Sequence, residues 1–319
     1  MNDLETAALV ARRAFCARWG LALIAAGPLA ACQTTPLPPP APAPAPPPVV
    51  PAPPPPPAAP PRPPRIGLAL GGGAARGFAH IGVIQVLEEQ GIRPDLVVGT
   101  SAGSLVAAMY ASGKSGVELG SLAGSMDESG LTDWSFPGRG LIRGEALARY
   151  VRAQTSGLQI EQMKVPLGIV ATDLGDGQPI LFQRGDPGVA VRASSAVPAV
   201  FQPVKIGTRE YVDGGLVSPV PVRFARQMGA ELVIAVDISS PPDGNATGDA
   251  FRLLLQTFAI MGRSINRFEL KEADVVLRPG LAGVASADFT ARQKAIQSGR
   301  EAALAMLQPL RQKIAAMTR

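Results

Sequence analysis

Nineteen of the 33 prolines in this 319-residue chain fall within residues 36–64. Proline donates no backbone hydrogen bond and its ring fixes φ, so neither a helix nor a central strand can run through such a tract. The tract reads instead as a semi-rigid polyproline II tether, about 3.1 Å per residue and on the order of 90 Å when extended. It cuts the chain into residues 1–31, a tether at 32–64, and residues 65–319. The last block has ordinary proline usage and is long enough to bury one sizeable core.

Residues 1–31 carry Arg12, Arg13 and Arg18, followed by an apolar run from Trp19 to Ala31. A charged start and a short apolar stretch make an export signal, too short for a spanning helix of about 20 residues. Leu29-Ala30-Ala31-Cys32 resembles the lipobox of bacterial lipoproteins, which implies cleavage before Cys32 and its lipidation. Gln33 follows in place of an Asp, and by resemblance to Gram-negative lipoproteins this implies attachment to the outer membrane of the cell envelope. Arg12-Arg13-Ala14-Phe15 also resembles a twin-arginine core, although Ala11 and Cys16 depart from the pattern.

The third block alternates buried-strand and helix signals. Residues 65–70, 95–98, 167–174, 179–182, 231–238 and 274–278 read as short apolar strands, and residues 78–90 and 104–112 read as helices. This order predicts an α/β fold, a mainly parallel central sheet with helices on both faces. Phe251, Leu254, Phe258, Met261, Ile265 and Phe268 are spaced as one helical stripe. The stripe is expected to pack on the sheet, a lipid-facing surface beside the active site being the other reading.

Two strand–glycine–helix junctions follow one another. Gly99-Thr100-Ser101-Ala102-Gly103 has the G-x-S-x-G pattern between a strand and a helix. A sharp turn flanked by small residues projects the Ser101 hydroxyl from the sheet, at the positive end of a helix. Gly71-Gly72-Gly73-Ala74-Ala75-Arg76-Gly77 presents backbone amides into a concavity suited to an anion. A nucleotide phosphate is the weaker reading, because neither a G-x-G-x-x-G nor a Walker pattern is complete. The oxyanion of an acyl-transfer intermediate suits two such junctions in series, with Gly71, Gly72, Gly73 and Ala74 as candidate donors. Arg76 either holds this loop through an ion pair or meets a phosphate headgroup.

His80 is the chain's one histidine and precedes Ser101, against the Ser–acid–His order of α/β-hydrolases. It is expected to be a core or capping residue. The base is then a carboxylate acting directly on the serine, which requires partial burial to raise its pKa. Asp213, in Val212-Asp213-Gly214-Gly215, ends a short strand before two glycines and is the best candidate. Asp173, Asp176, Asp186 and Asp237 compete, Asp176 reading as a hairpin residue and Asp237 as a supporting group.

These motifs, in this order, resemble the patatin-like phospholipases, best the bacterial branch allied to neuropathy target esterase. The resemblance extends through residues 192–198 and 272–303, and so over essentially the whole third block. It implies a three-layer patatin α/β fold and a Ser101–Asp213 dyad. It also implies an oxyanion hole around Gly72, Gly73 and Ala74, supported by Arg76, Gly77, Gly99, Gly103, Gly214 and Gly215. Plant members have Asp and Gly where Gly71 and Ala74 stand. Ser194 and Ser195 fall in a segment read as structural. The implied activity is hydrolysis of lipid acyl esters, with a lipid-binding protein or an acyltransferase as alternatives.

The composition restricts the other classes. Both cysteines, Cys16 and Cys32, precede the tether, so residues 65–319 hold no disulfide, thiol nucleophile or cysteine-bound zinc. One histidine excludes a histidine-rich metal site, and no cofactor is expected. A net charge of +5 without charge blocks, and 5% aromatic residues, give no support to nucleic-acid binding.

Overall fold

The computed structural model describes residues 61–127, 133–134, 139–240, 248–285 and 287–319. The export signal, Cys32 and nearly all of the tether lie outside the described residues. In chain order the elements are β1 (Ile66–Leu70), α1 (Phe78–Glu89), β2 (Leu96–Thr100), α2 (Ala102–Ala111) and α3 (Gly116–Ser125). Then come β3 (Gly140–Ile142), α4 (Glu145–Gln154), β4 (Leu167–Asp173), β5 (Pro179–Phe182) and α5 (Pro187–Ser194). They are followed by β6 (Ala199–Phe201), β7 (Val204–Ile206), β8 (Arg209–Asp213), α6 (Val222–Gln227) and β9 (Leu232–Val236). The chain ends with α7 (Ala250–Glu269), β10 (Val275–Leu277), α8 (Arg292–Ala305) and α9 (Leu307–Met317).

Eight strands form one sheet in the order β10-β9-β1-β2-β4-β8-β7, with β5 also paired to β4. From β10 to β4 all pairings are parallel; β5, β8 and β7 are antiparallel. The run IGLAL of β1 and the run LVIAV of β9 are buried at every position, as strands covered on both faces must be. Their side chains alternate between two cores. Leu68, Leu70, Ile234 and Val236 join α1, α2 and α8, whereas Ala69, Val233 and Ala235 join α6. The expected α/β layering is therefore found. The hairpin expected around Asp176-Gly177 is the antiparallel β4–β5 pair.

Helix starts follow local chemistry. Ser115 and Glu118 form a capping box on α3, and Asp186 caps α5 with Pro187 at its first position. Helix α2 begins at Ala102, directly after Ser101 and two residues earlier than periodicity suggests, because Ala102 and Gly103 are too small to mark an apolar face.

The stripe on α7 does not pack on the sheet. None of its six residues is buried, and the buried side chains of this helix are the polar Asn266 and Glu269. Helical spacing of apolar residues reports a shared face and not what covers it.

Helices α1 and α8 cross so closely that a Cβ at Gly299 would collide with the Ala79 carbonyl oxygen. Gly299→Ala forces two backbones apart. It is expected to destabilise the fold by about 1–3 kcal/mol, read as a shift of the urea midpoint with an unchanged slope.

Candidate active site

Register on β4 assembles the site. Thr100, the last residue of β2, pairs with Val170, and Asp213, the last residue of β8, pairs with Ala171. Adjacent positions on one strand thus bring residue 101 and residue 213 to the carboxyl end of β2, the usual location of ligand sites in open α/β sheets. Both side chains line a cavity of about 1160 Å³, together with Gly72, Gly73, Ala74 and Arg76.

Ser101 has φ +53° and ψ −124°. A serine rarely adopts this backbone, and such conformations cost on the order of 1–3 kcal/mol unless the surroundings enforce them. Here they do. The Ser101 amide donates to Ser194 Oγ at 2.8 Å, and the Ser194 hydroxyl donates to the Val170 carbonyl at 2.6 Å. Ser194 is fully buried, so this bridge ties the turn to β4 where water cannot compete. Sequence reasoning missed its role because a serine inside an apolar helical segment carries no functional signature. The glycines around the turn are contact points: a Cβ at Gly103 would overlap the Leu70 carbonyl oxygen, and one at Gly77 would lie 2.8 Å from Ala102 Cβ. Gly99 faces the Gly103 backbone in the same way, and Gly214 faces the Val170 carbonyl.

Asp213 is 7% exposed. Its Oδ1 accepts the Gly215 amide at 2.7 Å, while Oδ2 is buried without a closed hydrogen bond. Burial pushes the carboxyl up to about 6; the neighbouring Ser101 hydroxyl and the Gly215 amide pull it partly back. Thr172 Oγ1 donates to the Asp213 carbonyl at 2.8 Å and the Asp213 amide donates to Ala196, which fixes the strand end.

Of the four loop amides expected to face an oxyanion, two are taken. Gly71 donates to Val236 at 3.1 Å and Gly72 to Pro219 at 2.9 Å, both carbonyls of the fold. No backbone acceptor among the described residues takes the amides of Gly73 and Ala74, which line the cavity. The expectation therefore narrows to these two, because a donor committed to a sheet-side carbonyl cannot also hold an oxyanion. Ala74 has φ +50°, the left-handed region that favours glycine.

His80 is fully buried, and its Nε2–H donates to the Gly71 carbonyl at 2.8 Å. Burial lowers it to about 4, so it is neutral and braces the loop from beneath. Arg76 is also buried. It donates to Ser240 Oγ, burial lowers its pKa, and Asp237 attracts it. The remaining candidate carboxylates are used elsewhere. Asp173 and Asp176 pair with Arg209, Asp186 pairs with Arg152, and Asp237 accepts from Ser239. A further buried pair lies under the site, with Ser218 donating to Glu269 Oε1 at 2.7 Å.

Comparisons with known proteins show what the chain is similar to. The family profile for patatin-like phospholipase matches residues 68–226. The chain is 39% identical over 186 residues to an uncharacterised NTE family protein of Mycobacterium tuberculosis, covering 57% of this chain and 51% of the relative. It is 32% identical over 232 residues to patatin-like phospholipase domain-containing protein 6 of Mus musculus, covering 69% of this chain and 16% of the relative. The chain thus spans about half, or less, of the curated relatives it matches. The crystal structure of VipD from Legionella pneumophila superposes with a TM-score of 0.53 at 14% identity, covering 76% of this chain and 66% of VipD. At that identity the likeness is one of fold.

The raised Asp213 carries a stability signature. A carboxyl that moves from 3.8 unfolded to about 6 folded costs nothing below both values. The fold loses stability as pH rises between them, by about 3 kcal/mol once both states are ionised. Asp213→Asn removes the charge at constant size. It is expected to raise Tm by on the order of 5 °C above about pH 7, with the gain vanishing toward about pH 4. Calorimetry across that range checks it; a pH-independent difference would contradict the burial argument.

Proposed function

This chain belongs to the patatin-like phospholipase family, and from that premise we propose that it is a serine carboxyl-ester hydrolase of lipid acyl chains, working through Ser101 and Asp213. The observation that carries the reading is the pairing of a buried carboxylate of raised pKa with a serine held on a strained turn in one cavity. Neither feature helps the fold. Both match what a nucleophile and its base require.

The chemistry follows from the groups present. Ionised Asp213 takes the Ser101 proton on Oδ2 as Oγ attacks the ester carbonyl. The carbonyl oxygen gains the negative charge, and the Gly73 and Ala74 amides donate to it, aided by the positive end of α2. Collapse breaks the ester C–O bond, and the proton on Asp213 passes to the departing alcohol. Water then loses a proton to Asp213 and attacks the acyl-serine, Ser101 recovers a proton, and the fatty acid leaves. A base near 6 is ionised at neutral pH yet retains some proton affinity, as direct carboxylate catalysis needs. Apolar groups make up much of the cavity wall, Leu255, Met261 and Val284 among them, which suits an acyl chain.

Fluorophosphonate labelling of the full chain tests the reading. Label is expected on the unaltered protein, absent from Ser101→Ala, and reduced roughly 100-fold or more in rate in Asp213→Asn. Ester turnover is expected to fall with acid through an apparent pKa of about 6, the folded value of the base. A folded protein that takes no label would instead be a lipid-binding protein on the same scaffold.

The export and anchoring reading of the N-terminus is part of the same proposal. It places the enzyme on the cell envelope through a lipidated Cys32. In a Gram-negative host, Cys32→Ala is expected to abolish incorporation of labelled palmitate and to release the protein from carbonate-washed membranes. Undiminished palmitate incorporation would refute the assignment of Cys32.

A further inference from the structure

Helix α7 is the anomalous element of the surface. Eleven large hydrophobic side chains are exposed among the described residues, and six of them lie on this helix. They are Phe251, Leu253, Leu255, Ile260, Met261 and Phe268, the last 70% exposed. An exposed apolar surface concentrated on one element marks a contact with something apolar.

The helix has two distinct sides. Leu255, Ala259 and Gly262 face the cavity that contains Ser101 and Asp213, and Gly262 lies over Pro219. At the far end Asn266 Nδ2 donates to Ser239 Oγ at 3.0 Å, and Glu269 receives Ser218 and the Val222 amide. The opposite side carries Leu253, Ile260 and Arg267, spaced by seven residues and so aligned within two-turn steps. Phe268 stands beside Arg267, and the Lys271 ammonium sits 5.4 Å from the Phe268 ring centre. None of Leu253, Ile260 and Phe268 lines the cavity.

Charge selects the occupant. The outward side carries Arg267 and Lys271; Arg252 and Arg263 line the cavity, Arg252 pairing with Asp249, and Glu269 is buried. Between residues 250 and 268 the helix has no acid, and Glu272 is the one exposed carboxylate beside Lys271; such a face has little self-complementarity to offer a second copy of itself. It does complement a surface that is apolar within and anionic at its rim, which is a bilayer with acidic headgroups. No helix among the described residues is long and apolar enough to cross a membrane.

We propose that α7 is an interfacial helix that docks on an anionic bilayer, with Leu253, Ile260 and Phe268 in the acyl region and Arg267 and Lys271 at the headgroups. Docked this way it holds the wall of the Ser101–Asp213 cavity beside the lipid surface, since the other side of the same helix lines that cavity. This deepens the hydrolase reading and rests on it for its purpose, but the docking itself is independently measurable.

The full chain carrying Ile260→Trp is mixed with equimolar phosphatidylglycerol–phosphatidylcholine vesicles containing brominated acyl chains, and its emission is compared with that of the unsubstituted chain. Bromine quenching of the added indole is expected, weakened roughly thirty-fold in apparent affinity on phosphatidylcholine alone, as the loss of about two headgroup cations' worth of attraction requires. Leu253→Glu with Phe268→Glu is expected to cut hydrolysis of the anionic vesicles by about ten-fold or more and to leave turnover of a soluble short-chain ester within about two-fold. Absent quenching, or equal loss on vesicles and soluble ester, would overturn the proposal. Quenching without turnover of either ester would sustain the docking and refute the hydrolase reading.

Discussion

The bridge through the Ser194 hydroxyl is the contact on which the site depends. The Ser101 amide is turned away from the helical and sheet ladders by its own strained conformation, and a buried amide without a partner is costly. Ser194 accepts it and passes a hydrogen bond on to the Val170 carbonyl of β4. One side chain therefore joins α5, the turn after β2, and the strand that also sets the position of Asp213. If the bridge is lost, the turn can relax toward ordinary backbone, and the hydroxyl leaves the line to its carboxylate.

The other half of the site is held against its own preference. A carboxylate in a nearly dry pocket is disfavoured, and among the described residues Asp213 has the Gly215 amide and the Ser101 hydroxyl in compensation. A salt bridge would stabilise the charge but lower its proton affinity, as happens to Asp173 beside Arg209. In the proposed reading the site trades stability for basicity, as a base acting directly on a serine requires. The neutral His80 belongs to the same logic. As a buried imidazole it braces the glycine loop without placing a cation next to the amides that point into the cavity.

The cavity is closed on one side by α7, and this gives the molecule two kinds of surface. Around α1 and α8 the packing is close enough to exclude a Cβ, whereas α7 keeps its large apolar side chains outside. Its anchorage through Asn266 and Glu269 is polar and lies in the C-terminal turns. A wall held by buried polar groups and apolar outside differs from the helices that build the core.

Much was legible in the residues alone. Buried strands such as IGLAL and LVIAV reveal themselves because a parallel sheet covered on both faces needs unbroken apolar runs. The nucleophile turn is legible because only small residues tolerate the backbone approach between residues 99 and 103. A carboxylate base could be expected by elimination, with one histidine on the wrong side of Ser101, but the residues alone left Asp213 first among five candidates. Three matters were left to tertiary structure, each because it depends on what lies across space. Ser194 acquired its role only when α5 packed against β4. The amides of Gly71 and Gly72 were spent on carbonyls of Val236 and Pro219, contacts more than a hundred residues away in sequence. The stripe on α7 was plain in its spacing, but periodicity describes one partner of a contact; among the described residues Leu254, Phe258 and Ile265 are half-buried, and Phe251, Met261 and Phe268 stay exposed.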